Sequence, residues 1–396
     1  MFTTTMKTIY HWLHDHLHWL VALLFLLTAY LIRSPHFDYV SGDYQYFLRV
    51  WMEEIIARGG WASLAVSIGD YSVPYVVILT GLSYLTTEWL MGIKLISIFF
   101  DYVLAASVGL FVYHSIRSYK GAVTQSILAG LLVLFIPTVF MNSAMWAQSD
   151  SIYTAFIVFS LLFLLKGRFT WSMVFYGIAF AFKLQAIFIL PVFIVIYFLN
   201  HRYRVYEFLI IPGMYYLLSL PALLAGRSFE DVSTIYLRQT NTYQSMTLNM
   251  PNLYMWFPNR YDDFYLYAIA LFAILMAVAL FRLMTRKIVI KPSVVLDLAL
   301  WSVLMAVFFL PAMHERYLFI ADILSLAYYM IRRKNGWVPI LTIGISTVAY
   351  FPFLFGFQAI ELKYIAIAYA ILLYHFTRVV FNEFQAASDN SLEAPL

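Results

Sequence analysis

Residues 92–114, GIKLISIFFDYVLAASVGLFVYH, are followed by SIRSYKG (115–121) and then by AVTQSILAGLLVLFIPTVFM (122–141). Two apolar runs flank a short loop whose charges are Arg117 and Lys120. About 20 apolar residues is what a helix needs to cross the bilayer hydrocarbon. The same pattern repeats outward in both directions. Runs fall at 18–32, 92–114, 122–141, 150–166, 171–186, 187–199, 207–226, 264–284, 294–311, 317–331, 337–355 and 361–381, about twelve spans. Runs 171–186 and 187–199 are short and can form one broken hairpin. Backbone groups in lipid must be paired internally, so spans are helices or a closed barrel. Barrel strands alternate apolar and polar residues, and these runs do not. The expected fold is all-α: a polytopic transmembrane helix bundle, one integral membrane domain over 1–396.

Composition agrees. Of 396 residues, 63% are hydrophobic and 12% charged, against about half and a quarter in soluble chains. Aromatic residues make up 19%, many at run ends, as in interfacial belts. With no cysteine, disulfide frameworks and thiolate chemistry are excluded. The net charge of +4 lies in short loops, which orients helices and gives no reason to expect a nucleic-acid partner. The first run lacks a small-residue cleavage site and reads as a retained anchor. His11, His14, His16 and His18 match no compact metal-ligand spacing and read as an interfacial anchor.

Charge parity sets the expected topology. Segment 73–90 is apolar but holds Thr80, Gly81, Ser83, Thr86, Thr87 and Glu88. If it does not span, Arg117/Lys120, Lys166/Arg168, Arg202/Arg204, Arg286/Lys287/Lys291 and Arg332/Arg333/Lys334 all share one side. The positive-inside rule makes that side cytoplasmic. Segment 73–90 then lies on, or re-enters, the outer face, and both termini are cytoplasmic. The outer face receives the long segments 33–91 and 227–263 and two polar elbows, where function concentrates. The polar tail 385–396 is expected to be disordered.

Ionisable groups at membrane depth need a reason. Asp43, in Ser41-Gly42-Asp43-Tyr44, reads either as a general base at the membrane surface or as a solvated helix cap. Asp150, after Trp146-Ala147-Gln148-Ser149, caps a helix or binds a substrate hydroxyl or metal. Lys183, beside Gln185, snorkels or contacts a lipid phosphate. In His314-Glu315-Arg316, Arg316 grips a phosphate bidentately, or the triplet is a Glu–Arg pair at a wet corner. Asp101 and Lys94 share a helix face and pair with each other or with loop groups. Lys94, Asp297 and Asp322 also need partners. No phosphate loop, dinucleotide glycine pattern, zincin motif or nucleophile elbow is present.

Taken in order along the chain, these pieces resemble the GT-C superfamily of integral membrane glycosyltransferases, nearest to mannosyltransferase-like members that use polyprenyl-phosphate sugars. The residues carrying the resemblance are Ser41-Gly42-Asp43-Tyr44, Gly69 to Tyr75, Lys94-Leu95 with Asp101, Asn142 to Asp150, Lys183-Leu184-Gln185, Asn249 to Tyr254 and Met313 to Tyr317. The pattern departs in two places: Tyr44 follows Asp43 where many members have a second acid, and Ala147 stands where relatives often have glycine.

The resemblance implies surface helices in the first outer loop and Asp43 as the catalytic carboxylate. It implies substrate binding by Asp101, Gln148, Asp150, Lys183, Gln185, His314, Glu315 and Arg316. A hexose would move with inversion from a polyprenyl-phosphate donor to the hydroxyl of a glycan, glycolipid or protein, in a bacterial plasma membrane. No cofactor and no protein-held metal are implied, and a divalent cation is compatible. The rival classes are a transporter and a lipid-linked glycan flippase or polymerase. Transporters place ionisable groups near the midplane, often in repeated halves; here they gather near run ends without a repeat.

The parity argument is tested by labelling. A cysteine at position 118, in a chain with no native cysteine, should stay unlabelled by an impermeant reagent applied to intact cells. Labelling there overturns the expected orientation.

Overall fold

The computed structural model describes residues 2–200, 203–240, 242–285 and 290–392, with side chains for all but 2–11, 13–18 and 386–392. Arg202, Arg286, Lys287 and the side chains of His11, His14, His16 and His18 therefore lie outside the described residues, as do 393–396 of the tail.

Among the described residues the regular structure is all helical but for two two-residue strands. The helices are α1 (Phe2–Arg33), α2 (Arg49–Ala57), α3 (Val73–Leu85), α4 (Trp89–Ile116), α5 (Ala122–Val133), α6 (Pro137–Phe140), α7 (Asp150–Leu165), α8 (Phe169–Phe182) and α9 (Leu190–Leu199). They continue with α10 (Ile210–Leu224), α11 (Phe229–Ser233), α12 (Ile235–Thr240), α13 (Tyr261–Met284), α14 (Pro292–Phe309), α15 (Phe319–Arg332), α16 (Trp337–Phe355) and α17 (Leu362–Leu392). Helix α17 runs past Gln385, where the sequence places the start of a polar tail.

Among the described residues, seven helices are long and apolar enough to cross a membrane, or eight if one bent pair counts as a single span. Apolar helices at 73–85, 150–165, 169–182 and 184–199 are shorter. The twelve apolar runs do fall on helices, but about twelve full-length spans is more than the structure shows. Hydropathy registers apolar residues, not unbroken helix. At Pro137 the preceding Ile136 is extended, as the proline ring requires, and the α5–α6 pair bends by 51°. At Lys183 the backbone is extended (φ −155°, ψ 132°), ending α8 before a 3₁₀ stretch, Leu184–Ile189, leads into α9. The short runs at 171–186 and 187–199 are thus parted at Lys183.

Helices α4, α5, α7, α8, α14 and α15 share the main apolar core, and large hydrophobic side chains cover the outside of the bundle. Helices α4 and α5 meet closely because Gly130 has no Cβ; one would sit 2.6 Å from the Ala105 carbonyl oxygen. Helix α3 has thirteen residues, about 20 Å at 1.5 Å per residue and short of the roughly 30 Å of hydrocarbon. With α2 and the turn Gly60–Ala65 it builds a second core against α7, α8 and α10.

Buried charges are each given partners. Asp101 Oδ2 accepts from Arg33 Nε (3.1 Å), Arg33 Nη2 (2.9 Å) and Ser143 Oγ (2.6 Å), and its Oδ1 accepts from Ser151 Oγ (2.6 Å). Lys94 pairs instead with backbone: its Nζ donates to the carbonyls of His36, Phe37 and Tyr39 at 2.6–3.0 Å. Asp101 is therefore a strut between α1, α4, α7 and the 141–145 turn. Its partner is Arg33, not Lys94. Asp297 is paired with Arg332, which also lies 2.9 Å from Glu383. Asp322 accepts from Thr138 Oγ1 at 2.6 Å.

Removing one partner of a buried pair leaves an uncompensated charge, at a cost of about 3–5 kcal/mol, whereas replacing both by apolar groups is often near neutral. Arg33→Met should lower the thermal unfolding midpoint sharply in detergent, and Arg33→Met/Asp101→Leu should recover most of the loss. A double variant as unstable as the two single losses summed would refute the strut.

Candidate active site

The end of α1, the starts of α4 and α7, the end of α8 and the α14–α15 elbow converge at one end of the bundle. Three local devices hold their side chains in place. Ser41 Oγ donates to the Trp146 carbonyl at 2.8 Å and accepts from the Tyr44 amide at 3.1 Å, fastening the Asp43 turn to the 142–150 elbow. Ala147 sits at φ +63°, a left-handed conformation that costs a residue with a Cβ about 1–2 kcal/mol. This reverses the chain so that the Gln148 amide donates to the Asn142 carbonyl at 2.8 Å. In the elbow, Thr247–Leu248 pairs in parallel with Met313–His314, and the Glu315 amide donates to the Leu248 carbonyl at 3.0 Å.

Gln148 is the hub. Its Nε2 donates to Asp43 Oδ2, and its Oε1 accepts from Arg316 Nη1 and from Tyr71 OH (2.6 Å). Arg316 Nη2 lies 3.7 Å from Asp43 Oδ2, Nη1 4.0 Å from Asp150 Oδ2 and Nε 3.5 Å from Glu315 Oε1. The guanidinium sits 5.3 Å from the centre of the Trp146 ring, a cation–π geometry. Trp146 is in turn stacked on Phe353. Asp150 is ion-paired to Lys183 and accepts from Asn142 Nδ2 at 2.7 Å. Lys183 lies over the rings of Tyr71 and Tyr153 at 5.8 and 5.5 Å.

A cavity of about 270 Å³ opens here, lined by Asp43, Gln148, Lys183, Gln185, His314, Glu315 and Arg316 among others. Gln185 Oε1 is buried without a hydrogen-bond partner. A larger groove of about 540 Å³ between α1, α4 and α5 is lined almost wholly by apolar residues, with no convergent polar groups, so the smaller cavity is where chemistry fits. Of the nine residues the sequence nominates, seven line this cavity. Asp150 stands just behind it, orienting Lys183, and Asp101 lies away in its strut. Tyr71, Tyr243 and Asn249 also line it, and the sequence gives them no individual role. Tyr71 belongs to the quoted 69–75 stretch and Asn249 opens the quoted 249–254 stretch; Tyr243 lies in the long 227–263 segment outside any quoted motif. Among the described residues no group of three or more His, Asp or Glu side chains is disposed to hold a metal ion.

Burial divides the elbow triplet. It pushes His314 down to about 3, helped by the charges of Arg316 and Lys183, so the imidazole is neutral and is not a third cation. Burial pushes Glu315 up to about 7, against the pull of Arg316. Burial opposes charge on Arg316 too, but Asp43, Tyr71, Asp150 and Glu315 outweigh it and hold the guanidinium protonated. Burial pushes Tyr71 up to about 12, which keeps its hydroxyl a donor to Gln148. No protein-family model matches this chain, and no curated protein matches it significantly.

The shift of Glu315 has a direct consequence for stability. Below its ordinary value of 4.5 the carboxyl is protonated both folded and unfolded. As pH rises from 4.5 to about 7, only the unfolded chain loses the proton. The folded state thus loses up to roughly 3 kcal/mol across that window, at about 1.4 kcal/mol per pH unit. Glu315→Gln should remove this slope, seen as a flatter unfolding midpoint between pH 4.5 and 7. Identical slopes in the two proteins would refute the buried neutral acid.

Proposed function

We propose that the chain is a membrane glycosyltransferase that moves a hexose from a polyprenyl-phosphate donor to an acceptor hydroxyl. The observation carrying this reading is one amide, Gln148, joining a carboxylate to a fixed guanidinium in a cavity at the end of a membrane-type bundle. A base and a phosphate clamp are the two tools the reaction needs. A sugar on a lipid phosphate is already activated, because the phosphate leaves readily, so no nucleotide-binding loop is required.

Asp43 is the base. Its Oδ2 accepts from Gln148, and among the described residues no hydrogen bond reaches Oδ1, which is left for an acceptor hydroxyl. Asp43 takes that proton as the acceptor oxygen bonds the anomeric carbon. The carbon–phosphate oxygen bond breaks, the lipid phosphate departs with the electron pair, and the configuration inverts. Negative charge grows on that phosphate, and Arg316 and Lys183 answer it. Contacts that strengthen as charge develops lower the barrier beyond mere binding. Asp150 holds Lys183 in place. The aromatic rings of Tyr71, Tyr243 and Phe353 at the cavity offer apolar faces to a sugar ring.

In this reading the cavity faces the extracytoplasmic side, because the basic loops lie at the other end of the helices. The donor is then lipid-linked and not a cytoplasmic nucleotide sugar, and the acceptor is a glycan, glycolipid or protein outside the cell.

The purified chain should release polyprenyl phosphate from a lipid-linked hexose in the presence of acceptor and ignore nucleotide sugars. Asp43→Asn should keep donor binding but lower turnover by about 10²-fold or more, the contribution of a general base. Arg316→Lys should also lower turnover, since lysine keeps the charge but not the planar fork. Transfer from nucleotide sugars alone, or an Asp43→Asn protein with near-normal turnover, would overturn the assignment.

A further inference from the structure

At the end of the bundle away from the cavity, four basic residues meet around one recess. Helix α4 ends at Ile116, α7 ends at Leu165 and α8 begins at Phe169. Their termini bring together His114, Arg117, Lys166 and Arg168, which with Leu165 line a recess of about 400 Å³. Gly167, at φ +67°, turns the chain sharply between α7 and α8, so Lys166 and Arg168 stand on either side of one tight bend.

Three of these cations have no carboxylate partner among the described residues. Arg332 is paired with Asp297 and Glu383, and Arg333 donates to Gln125. Among the described residues, Arg117, Lys166 and Arg168 make no ion pair, and all three are exposed. Lys166 lies 5.4 Å from the Phe163 ring centre, which leaves its charge unneutralised. Glu207, in the adjoining recess that also contains Arg168, accepts from Thr170 Oγ1 at 2.8 Å.

Exposed apolar side chains lie close by: Leu110 is 52% exposed, Tyr113 43% and Trp171 54%. Leu110 and Tyr113, within two turns of Arg117 on α4, line the apolar groove between α1, α4 and α5, where an acyl chain would run; Trp171 lines the adjoining recess that shares Arg168. Like-charged groups clustered without a counter-ion raise one another's energy, and an anion relieves that repulsion. A soluble anion would satisfy the charges but would gain nothing from the exposed rings and leucine beside them.

We propose that this recess binds the phosphate of an anionic lipid headgroup, with the acyl chains against Leu110, Tyr113 and Trp171. Arg117 and Arg168 supply planar donors to phosphate oxygens, and Lys166 a third charge. The headgroup bridges the ends of α4, α7 and α8, the same three helices whose other ends carry Lys94, Asp150 and Lys183. The occupied recess would fix the spacing of those helices without touching the cavity.

The test uses the full-length protein in neutral detergent with phosphatidylglycerol or phosphatidylcholine at equal mole fraction, and native mass spectrometry to count retained lipid. Each cation near a lipid surface contributes about 1 kcal/mol, about fivefold in affinity. Phosphatidylglycerol should therefore bind on the order of a hundredfold more tightly than phosphatidylcholine. Arg117→Gln/Lys166→Gln/Arg168→Gln should lose that preference. Arg282→Gln, an exposed cation in the last turn of α13, should retain it. Each single variant at 117, 166 and 168 should weaken binding about fivefold, which decides the matter even where the triple variant does not purify folded. Millimolar inorganic phosphate should not displace the lipid. Equal retention of the two lipids would overturn the proposal, as would unchanged preference in the variants or equal loss in Arg282→Gln. Displacement by inorganic phosphate would make the recess a free-anion site and overturn the lipid assignment.

Discussion

Charge is costly in a bundle built from apolar helices, and this chain carries its charges inward as matched sets. The pair Arg33–Asp101 ties α1 to α4 and, through Ser143 and Ser151, to the elbow and α7. Because α1 is anchored this way, the chain leaves it at a fixed point, and the carbonyls of 36–39 reach Lys94. Asp43 follows a few residues later. The carboxylate of the candidate site is thus placed by two buried charges that never meet the cavity. The same rule shapes the cavity, where Gln148, an uncharged amide, divides its two ends between a carboxylate and a guanidinium.

Much of this was legible in the sequence, for identifiable reasons. Apolar runs of bilayer length have few alternatives to helix, so the fold class follows from runs such as 92–114. Asp43, Lys183 and Arg316 stood out because ionisable residues at the ends of apolar runs are rare enough to demand a cause. Five of the seven nominated residues that line the cavity are ionisable; Gln148 and Gln185 are legible only as neighbours of Asp150 and Lys183. Pairing and helix length are less legible. The helix face of Asp101 offers Lys94 seven residues away or unnamed loop groups as partners, yet the pair forms with Arg33, 68 positions distant. Arg33 carried a readable sign: it is a lone cation closing the first apolar run, and a buried acid elsewhere implies such a partner. Among the described residues seven apolar helices, or eight with the bent pair, have full bilayer length and four more are shorter, because hydropathy registers apolar residues and not helix length.

The remaining gap lies in the 227–263 segment. Its residues Tyr243 and Asn249 reach the cavity through tertiary contacts: the strand pair with Met313–His314 and the Ala312 amide, which donates to the Met246 carbonyl at 3.1 Å. Pairings of two residues between positions more than sixty apart leave no periodic mark. Burial effects were equally hidden. His314 reads as a cation by type, and only its enclosure beside Arg316 and Lys183 makes it neutral.

That strand pair couples two things that are separate in the sequence. Residues 246–249 form part of the cavity wall, and residues 312–315 lead directly into Arg316. Joined by the Ala312 and Glu315 amides, they behave as one panel. The wall cannot swing outward while the guanidinium stays behind; either the hydrogen bonds break or Arg316 withdraws from Gln148 and Asp43. Entry to the cavity and completeness of its charge arrangement are therefore mechanically opposed, as a latch is to its door.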